Sequence, residues 1–292
     1  MSRPASAGRA GEGPFGEFHH FGDFRRSVFF VSTKIAQIAE ARLPLFLCYN
    51  GSMPYRKEQF VNNGIYHIIL RGLDDNLIFK DINDYYRGIF SIYEFNNSKP
   101  IEIRKRRQAR RKEKKKENSG SPSSAVWDKR NKFVDLLCFC FMPNHIHLLI
   151  KQLKDNGIVK FMRKVGTGYA KYFNGKYKRK GYVFQNRFRS VYVEDDKQLQ
   201  IVFNYIHANP ISLIESGWKE KGISNPKDAL KFLKEYKWSS YKDYIGENNF
   251  PSVTERNFLL EFLGGSEGCH LSLKDWIEYK KAFEKNQELL LE

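Results

Sequence analysis

The sequence predicts an α+β fold: a ferredoxin-like antiparallel sheet with helices on one face, followed by a helical C-terminal tail. Three observations lead there. Hydrophobic residues make up 41 % of the 292 residues, enough to bury a sizeable core. Between Ile65 and Ala208 the patterns run strand, helix, strand, strand, helix, strand, helix. The first six of these match the split β-α-β arrangement of ferredoxin-like sheets. Finally, Met142-Pro143-Asn144 joins two apolar runs through turn-forming residues, which predicts an antiparallel hairpin.

Each element has its own signal. Ile65 to Arg71 (IYHIILR) is short and β-branched, so it reads as a strand. Asp81 to Phe95 has helical spacing, with Ile82, Tyr85, Tyr86, Ile89, Phe90 and Tyr93 on one side. Val134 to Phe141 and His145 to Lys151 are the hairpin strands. Gly157 to about Tyr177 is an amphipathic helix, apolar at Ile158, Phe161, Met162, Val165, Tyr169 and Tyr172. It ends in cations that suit the negative end of the helix dipole, with Gly181 as the stop. Val183 to Val193 reads as an interrupted strand. Asp195 or Asp196 then caps a helix that ends before Asn209-Pro210. No internal repeat is present.

The composition narrows the partner. A formal charge of +17 argues for a polyanion, nucleic acid or an anionic membrane surface. No apolar run approaches the roughly 18–20 residues of a membrane span. The four cysteines, Cys48, Cys138, Cys140 and Cys269, lack zinc or disulfide-framework spacing. They read as free thiols in a reducing, cytoplasmic setting. Between Lys99 and Lys116 lie eleven Lys/Arg and two Glu, a net of +9. This segment belongs to an insertion, residues 98–132, that serves either as a solvated face or as a DNA-contacting excursion. Residues 1–52 lack the pattern of the rest and are read as an extension, disordered or upstream of the natural start, because Met53 opens a credible one. Residues 53–246 form the main domain, and 247–292 a helical tail packing on it.

Two groups could carry chemistry. His145 and His147 are two apart in a strand, so both imidazoles leave the same face. Both are good ligands for a divalent ion. A buried, hydrogen-bonded pair would explain them equally well. Tyr205 and Asn209, four apart, share a helix face. A phenol is a plausible nucleophile for phosphodiester chemistry, and the amide oxygen could be a third ligand; core packing and a helix terminus are the plainer readings. His207 lies about 200° around the helix from Tyr205 and is left out.

The strings FMPNHIHLLIK, NGIVKFMRKVGTGYAKYFNGKYKRKGYVFQNRFRSVYV and NYIHANP, in that order, resemble the REP-associated tyrosine transposases of the HUH superfamily. The resemblance runs from near Met53 at least to Gly246. It implies a ferredoxin-like catalytic core acting on single-stranded or hairpin DNA, with His145 and His147 as the metal motif, Tyr205 as the single nucleophile and Asn209 as the polar third ligand. The implied product is a 5′-phosphotyrosine with a free 3′-OH, formed with Mg²⁺ or Mn²⁺. No nucleotide cofactor is expected, since the chain has no Walker loop. Lys176, Lys178, Arg179 and Lys180 form one candidate DNA patch, and Arg187 and Arg189 another, suited to phosphates beside stacking aromatics. Arg71, in the YH…RG string of the first strand, is assigned to DNA, and His67 is read as structural. Monomer and homodimer both remain open. The competing readings are a non-catalytic nucleic-acid-binding protein and a metal-dependent nuclease using water.

Overall fold

The computed structural model describes residues 59–100, 108, 130–185 and 187–288, with side chains to residue 280. The expectations for residues 1–52 and for most of the basic insertion lie outside these. The elements are β1 (Ile65–Arg71), α1 (Ile82–Glu94), β2 (Val134–Met142), β3 (His145–Gln152), α2 (Gly157–Lys176), β4 (Arg189–Tyr192) and α3 (Asp196–Ala208). The tail adds α4 (Trp218–Lys221), α5 (Pro226–Glu235), α6 (Tyr241–Tyr244), α7 (Asn257–Leu263) and α8 (Gly265–Glu288). The strands form one sheet of order β2-β3-β1-β4, every pairing antiparallel. This is the α+β fold that the order of elements implies.

Because the pleat has period two, the sheet has two different faces. Tyr66, Ile68, Leu70, Ile146, Leu148, Ile150, Phe139 and Phe141 join one core with α1 and α2. Cys138, Cys140, Met142 and Leu149 join a second core with Leu199, Val202, Phe203 and Ile206 of α3. The two crossover helices thus share one face, as expected, and α3 with tail helices covers the other. A bulge helps to divide the faces. Leu136 pairs with Ile150 and Cys138 with Leu149, so Leu137 is the extra residue and both Leu137 and Cys138 reach the second core. Cys138, Cys140 and Cys269 are buried free thiols.

The start of α1 is tied to the end of α2. Asp81 caps α1, accepting from the backbone N–H groups of Asn83 and Asp84. Asp84, fully buried, accepts from Tyr172 Oη (3.0 Å), Tyr177 Oη (2.6 Å) and Lys176 Nζ (2.7 Å). Burial is the largest single influence and pushes its pKa up, but these donors together outweigh it and hold the carboxyl below the usual carboxylate range.

Two elements differ from the sequence reading. The strand expected over Val183–Val193 is a strand only at Arg189–Tyr192. Upstream, the chain bonds to the loop after β1: Leu73 N donates to Val183 O, Gln185 N donates to Arg71 O, and Phe184 bridges Gly72. Those bonds replace the ladder. The buried face of α1 is also rotated: Asp84, Gly88, Ile89, Ser91 and Ile92 face inward, while Ile82 and Tyr86 are exposed. Gly88 explains this. A Cβ there would meet the Phe141 ring at 2.5 Å, so the helix packs through its smallest side.

The tail guards the outer edge of the sheet. Phe141 N donates to Trp238 O and Ser240 N to Phe139 O, so the segment before α6 bonds along β2. Tyr236 and Tyr244 donate to the carbonyls of Phe141 and Leu137. A third core, with Trp218, Leu233, Tyr241, Leu273, Trp276 and Ile277, unites α4, α5, α6 and α8.

Two outcomes follow for stability. Asp84→Asn removes the charge on which Tyr172, Tyr177 and Lys176 converge, so urea unfolding should show a loss of about 2 kcal/mol or more; a loss under about 0.5 kcal/mol would place the tie elsewhere. His207 is fully buried, hydrogen-bonded to Ser240 Oγ at 2.9 Å, and burial pushes its pKa from 6.5 down to about 3. The unfolded chain therefore binds the extra proton between those values, and stability falls as pH drops from 6.5 towards 3. In His207→Gln, melting temperature should depend less steeply on pH across that window; an unchanged slope would contradict a neutral buried imidazole.

Candidate active site

The register of β1 on β3 sets Arg71 opposite His145, Ile69 opposite His147 and His67 opposite Leu149. Paired residues share a face, so three imidazoles gather on the side covered by α3. His145 and His147 have ring centroids 4.8 Å apart, and His67 stacks on His147 at 5.1 Å. His145 Nδ1 lies 2.6 Å from Asn144 Oδ1. A carboxamide oxygen only accepts, so His145 carries its proton on Nδ1 and leaves a lone pair on Nε2. His147 Nδ1 lies 2.9 Å from His67 Nε2. His147 Nε2 is buried without a hydrogen-bond partner among the described residues.

All three rings are held neutral. Burial pushes His145 and His67 down to about 3, with help from Lys219 for both and from Arg71 for His145. His147 falls well below 6.5 for the same leading reason, reinforced by His145. Neutral imidazoles are the ligand-competent form.

The tyrosine arrives from the layer above. Asp195 caps α3 by accepting from Gln198 N, and α3 packs across β2 and β3. Tyr205 then projects over the histidines, its ring centroid 5.7 Å from His147 and 5.9 Å from His67. Asn209 closes the helix: its Nδ2 donates to Tyr205 O at 3.0 Å, leaving Oδ1 beside the phenol. Lys219, at the second position of α4, donates to Tyr205 Oη at 2.9 Å and approaches Asn209 Oδ1 at 3.4 Å.

His145, His147, Tyr205 and Asn209 thus come together, although they derive from a strand and a helix that the sequence separates by some fifty residues. The cations divide. Arg189 sits in the row of the sheet that runs through Ile69 to His147, exposed on edge strand β4. Arg187 is exposed just before it. Arg71 flanks His145 and pairs with Asp75 at 2.9 Å. Lys178, Arg179 and Lys180 are exposed beyond α2, at the end of the sheet where β1 finishes, with Arg179 over the Phe173 ring. Lys176 belongs instead to the Asp81–Asp84 network, with ion pairs of 2.6 and 2.7 Å, so its position is explained by the fold and not by a phosphate. Sequence reasoning passed over Lys219, which no spacing links to Tyr205. His67, read from the sequence as structural, is fully buried with its Nε2 2.9 Å from His147 Nδ1, a contact that only the β1–β3 register reveals.

The donor set can be tested against a divalent ion. Among the described residues no group of three His, Cys, Asp or Glu side chains is placed to hold one. The set available is two imidazoles and one amide oxygen, and its best support is the buried, unpartnered His147 Nε2. Such a set adds no charge and leaves positions for phosphate oxygens, so it fits. Among the described residues no helix is long and apolar enough to cross a membrane.

No curated protein matches the sequence. A solved structure, described as "Structure of the REP associates tyrosine transposase bound to a REP hairpin", aligns with 70 % of this chain and 96 % of its own, at a TM-score of 0.38 and 14 % identity. The profile of the family described as "Transposase IS200 like" matches residues 101–209. Over the stretch that contains His145, His147, Tyr205 and Asn209, this chain is similar to the IS200-like transposases.

Proposed function

We propose that the chain nicks and rejoins single-stranded or hairpin DNA, with Tyr205 as nucleophile and a 5′-phosphotyrosine intermediate. One observation carries the reading: the Tyr205 ring stands 5.7 Å from His147, above a pair of neutral imidazoles, with the Asn209 amide beside it. In the forward step Tyr205 Oη bonds to phosphorus and the P–O3′ bond breaks. The phenolic proton passes to solvent, and the departing 3′ oxygen takes one up. The ester count is unchanged, so a 3′-OH can reverse the step without ATP. His145 Nε2, His147 Nε2 and Asn209 Oδ1 would hold Mg²⁺ or Mn²⁺. When bound, the ion would polarise the scissile phosphate and screen its developing charge. Arg189 and Arg71 flank the histidine face and would meet DNA phosphates, as would the exposed Arg187 just before β4, in keeping with the net charge of +17. Lys178, Arg179 and Lys180 would extend that track at the same end of the sheet.

The test uses hairpin DNA labelled at its 3′ end, since that fragment would be joined to the protein. On a denaturing gel the wild-type protein should give a slow covalent band that requires a divalent ion. Tyr205→Phe should lose the band and keep hairpin binding. His145→Ala and His147→Ala should each lose cleavage. A band surviving in Tyr205→Phe would move the nucleophile elsewhere. Cleavage without any band would favour a nuclease using water, and binding with neither would favour a non-catalytic DNA-binding protein. The REP hairpin named for the solved relative is the first strand to try.

A further inference from the structure

We propose that Lys219 is a catalytic residue of this site, its ammonium stabilising negative charge on Tyr205 Oη during attack and during expulsion. The inference rests on Tyr205 being the nucleophile. It starts from the contact itself: Lys219 Nζ lies 2.9 Å from Oη and 4.9 Å from the centroid of the same ring. An ammonium has donors and no acceptor, so Oη accepts from Lys219 and its own proton points away from the ammonium. A fixed cation at a reacting oxygen acts where charge develops, the arrangement that contributes most in acyl and phosphoryl transfer.

The position of Lys219 is built. It follows Trp218, which is 1 % exposed and packs edge-to-face on Trp276 of α8 at 5.5 Å. Gly217, at φ +82°, lets the chain turn directly into α4. The neighbouring side chain is therefore locked in the tail's core while Lys219 reaches back over α3. Its Nζ also lies 5.8 Å from the Trp218 ring, so an indole and a phenol flank it. The tail thereby contributes a reacting-site group as well as covering the sheet edge.

In the forward step the Oη–P bond forms, the P–O3′ bond breaks, the phenolic proton goes to solvent and the departing 3′ oxygen takes a proton from solvent. In rejoining, the 3′-OH loses its proton to solvent as its oxygen attacks, P–Oη breaks, and Oη departs as a phenolate against the ammonium before solvent reprotonates it. Lys219 keeps its three protons throughout.

The experiment measures single-turnover formation of the Tyr205 adduct at saturating hairpin and Mn²⁺, beside hairpin Kd and melting temperature. Lys219→Gln should slow adduct formation by about 10²–10³-fold, the usual effect of removing one charge-stabilising donor. Kd and melting temperature should hardly move. Lys219→Arg should restore part of the rate, and Lys221→Gln, exposed on the same short helix, should match wild type. Isolated adduct given a 3′-OH strand should rejoin more slowly in Lys219→Gln as well. An unchanged rate would overturn the proposal, as would a defect that saturating DNA abolishes, which would make Lys219 a phosphate contact only. Absence of a Tyr205 adduct in the wild-type protein would instead defeat the proposed function itself.

Discussion

The antiparallel register of β1 on β3 is the constraint from which the site follows. With His147 opposite Ile69, the pleat sends His67, His145 and His147 to one face and Ile68, Ile146 and Leu148 to the other. A one-residue slip would exchange them, putting imidazoles into the core against α1 and α2 and aliphatic side chains beneath Tyr205. Burial on both faces makes such a slip costly. The hairpin turn, the β2 bulge and the bonds from the tail to β2 fix the neighbouring β2–β3 pairing.

Electrostatics then gives the site its character. The charges that act on the imidazoles come from Lys219 and from Arg71, which is paired with Asp75, and Arg189 lies in the same row two strands from His147. Burial already disfavours imidazolium, and the nearby cations disfavour it further. The rings are therefore lone-pair donors at neutral pH. The His67–His147 hydrogen bond gives His147 Nδ1 a partner, so that its Nε2 can present a lone pair to the site. The same positive field suits a phosphodiester, which carries negative charge of its own. On the opposite side of the sheet the buried carboxylate of Asp84 is satisfied by Lys176, Tyr172 and Tyr177 and serves the fold.

Local features of the chain were readable because their causes are local. β1, α1, α2, α3 and the hairpin each follow from periodicity, capping residues or turn formers, and the element order gives the sheet topology. His145 with His147, and Tyr205 with Asn209, are pairs at spacings that fix a shared face. What escaped the sequence depends on distant partners. The short β4 reflects bonds from Val183–Gln185 to the loop after β1. The rotated face of α1 reflects the close approach of Gly88 to Phe141. Lys176 is a cation like its neighbours until Asp81 and Asp84 are placed beside it. Lys219 reaches the phenol only because Trp218 is seated against Trp276, a contact across more than fifty residues. Packing, and not spacing, decides each of these.

The central claim is that a strand's two histidines and a helix's tyrosine and asparagine form one metal-assisted site. Anomalous scattering from crystals of the protein grown with Mn²⁺ and hairpin DNA tests it most directly. The account predicts one strong peak within roughly 2–2.3 Å of both His145 Nε2 and His147 Nε2, on the side facing Asn209 Oδ1, with a DNA phosphate between it and Tyr205 Oη. A fully occupied Mn²⁺ peak away from this pair, or DNA bound with its phosphates remote from Tyr205, would contradict it.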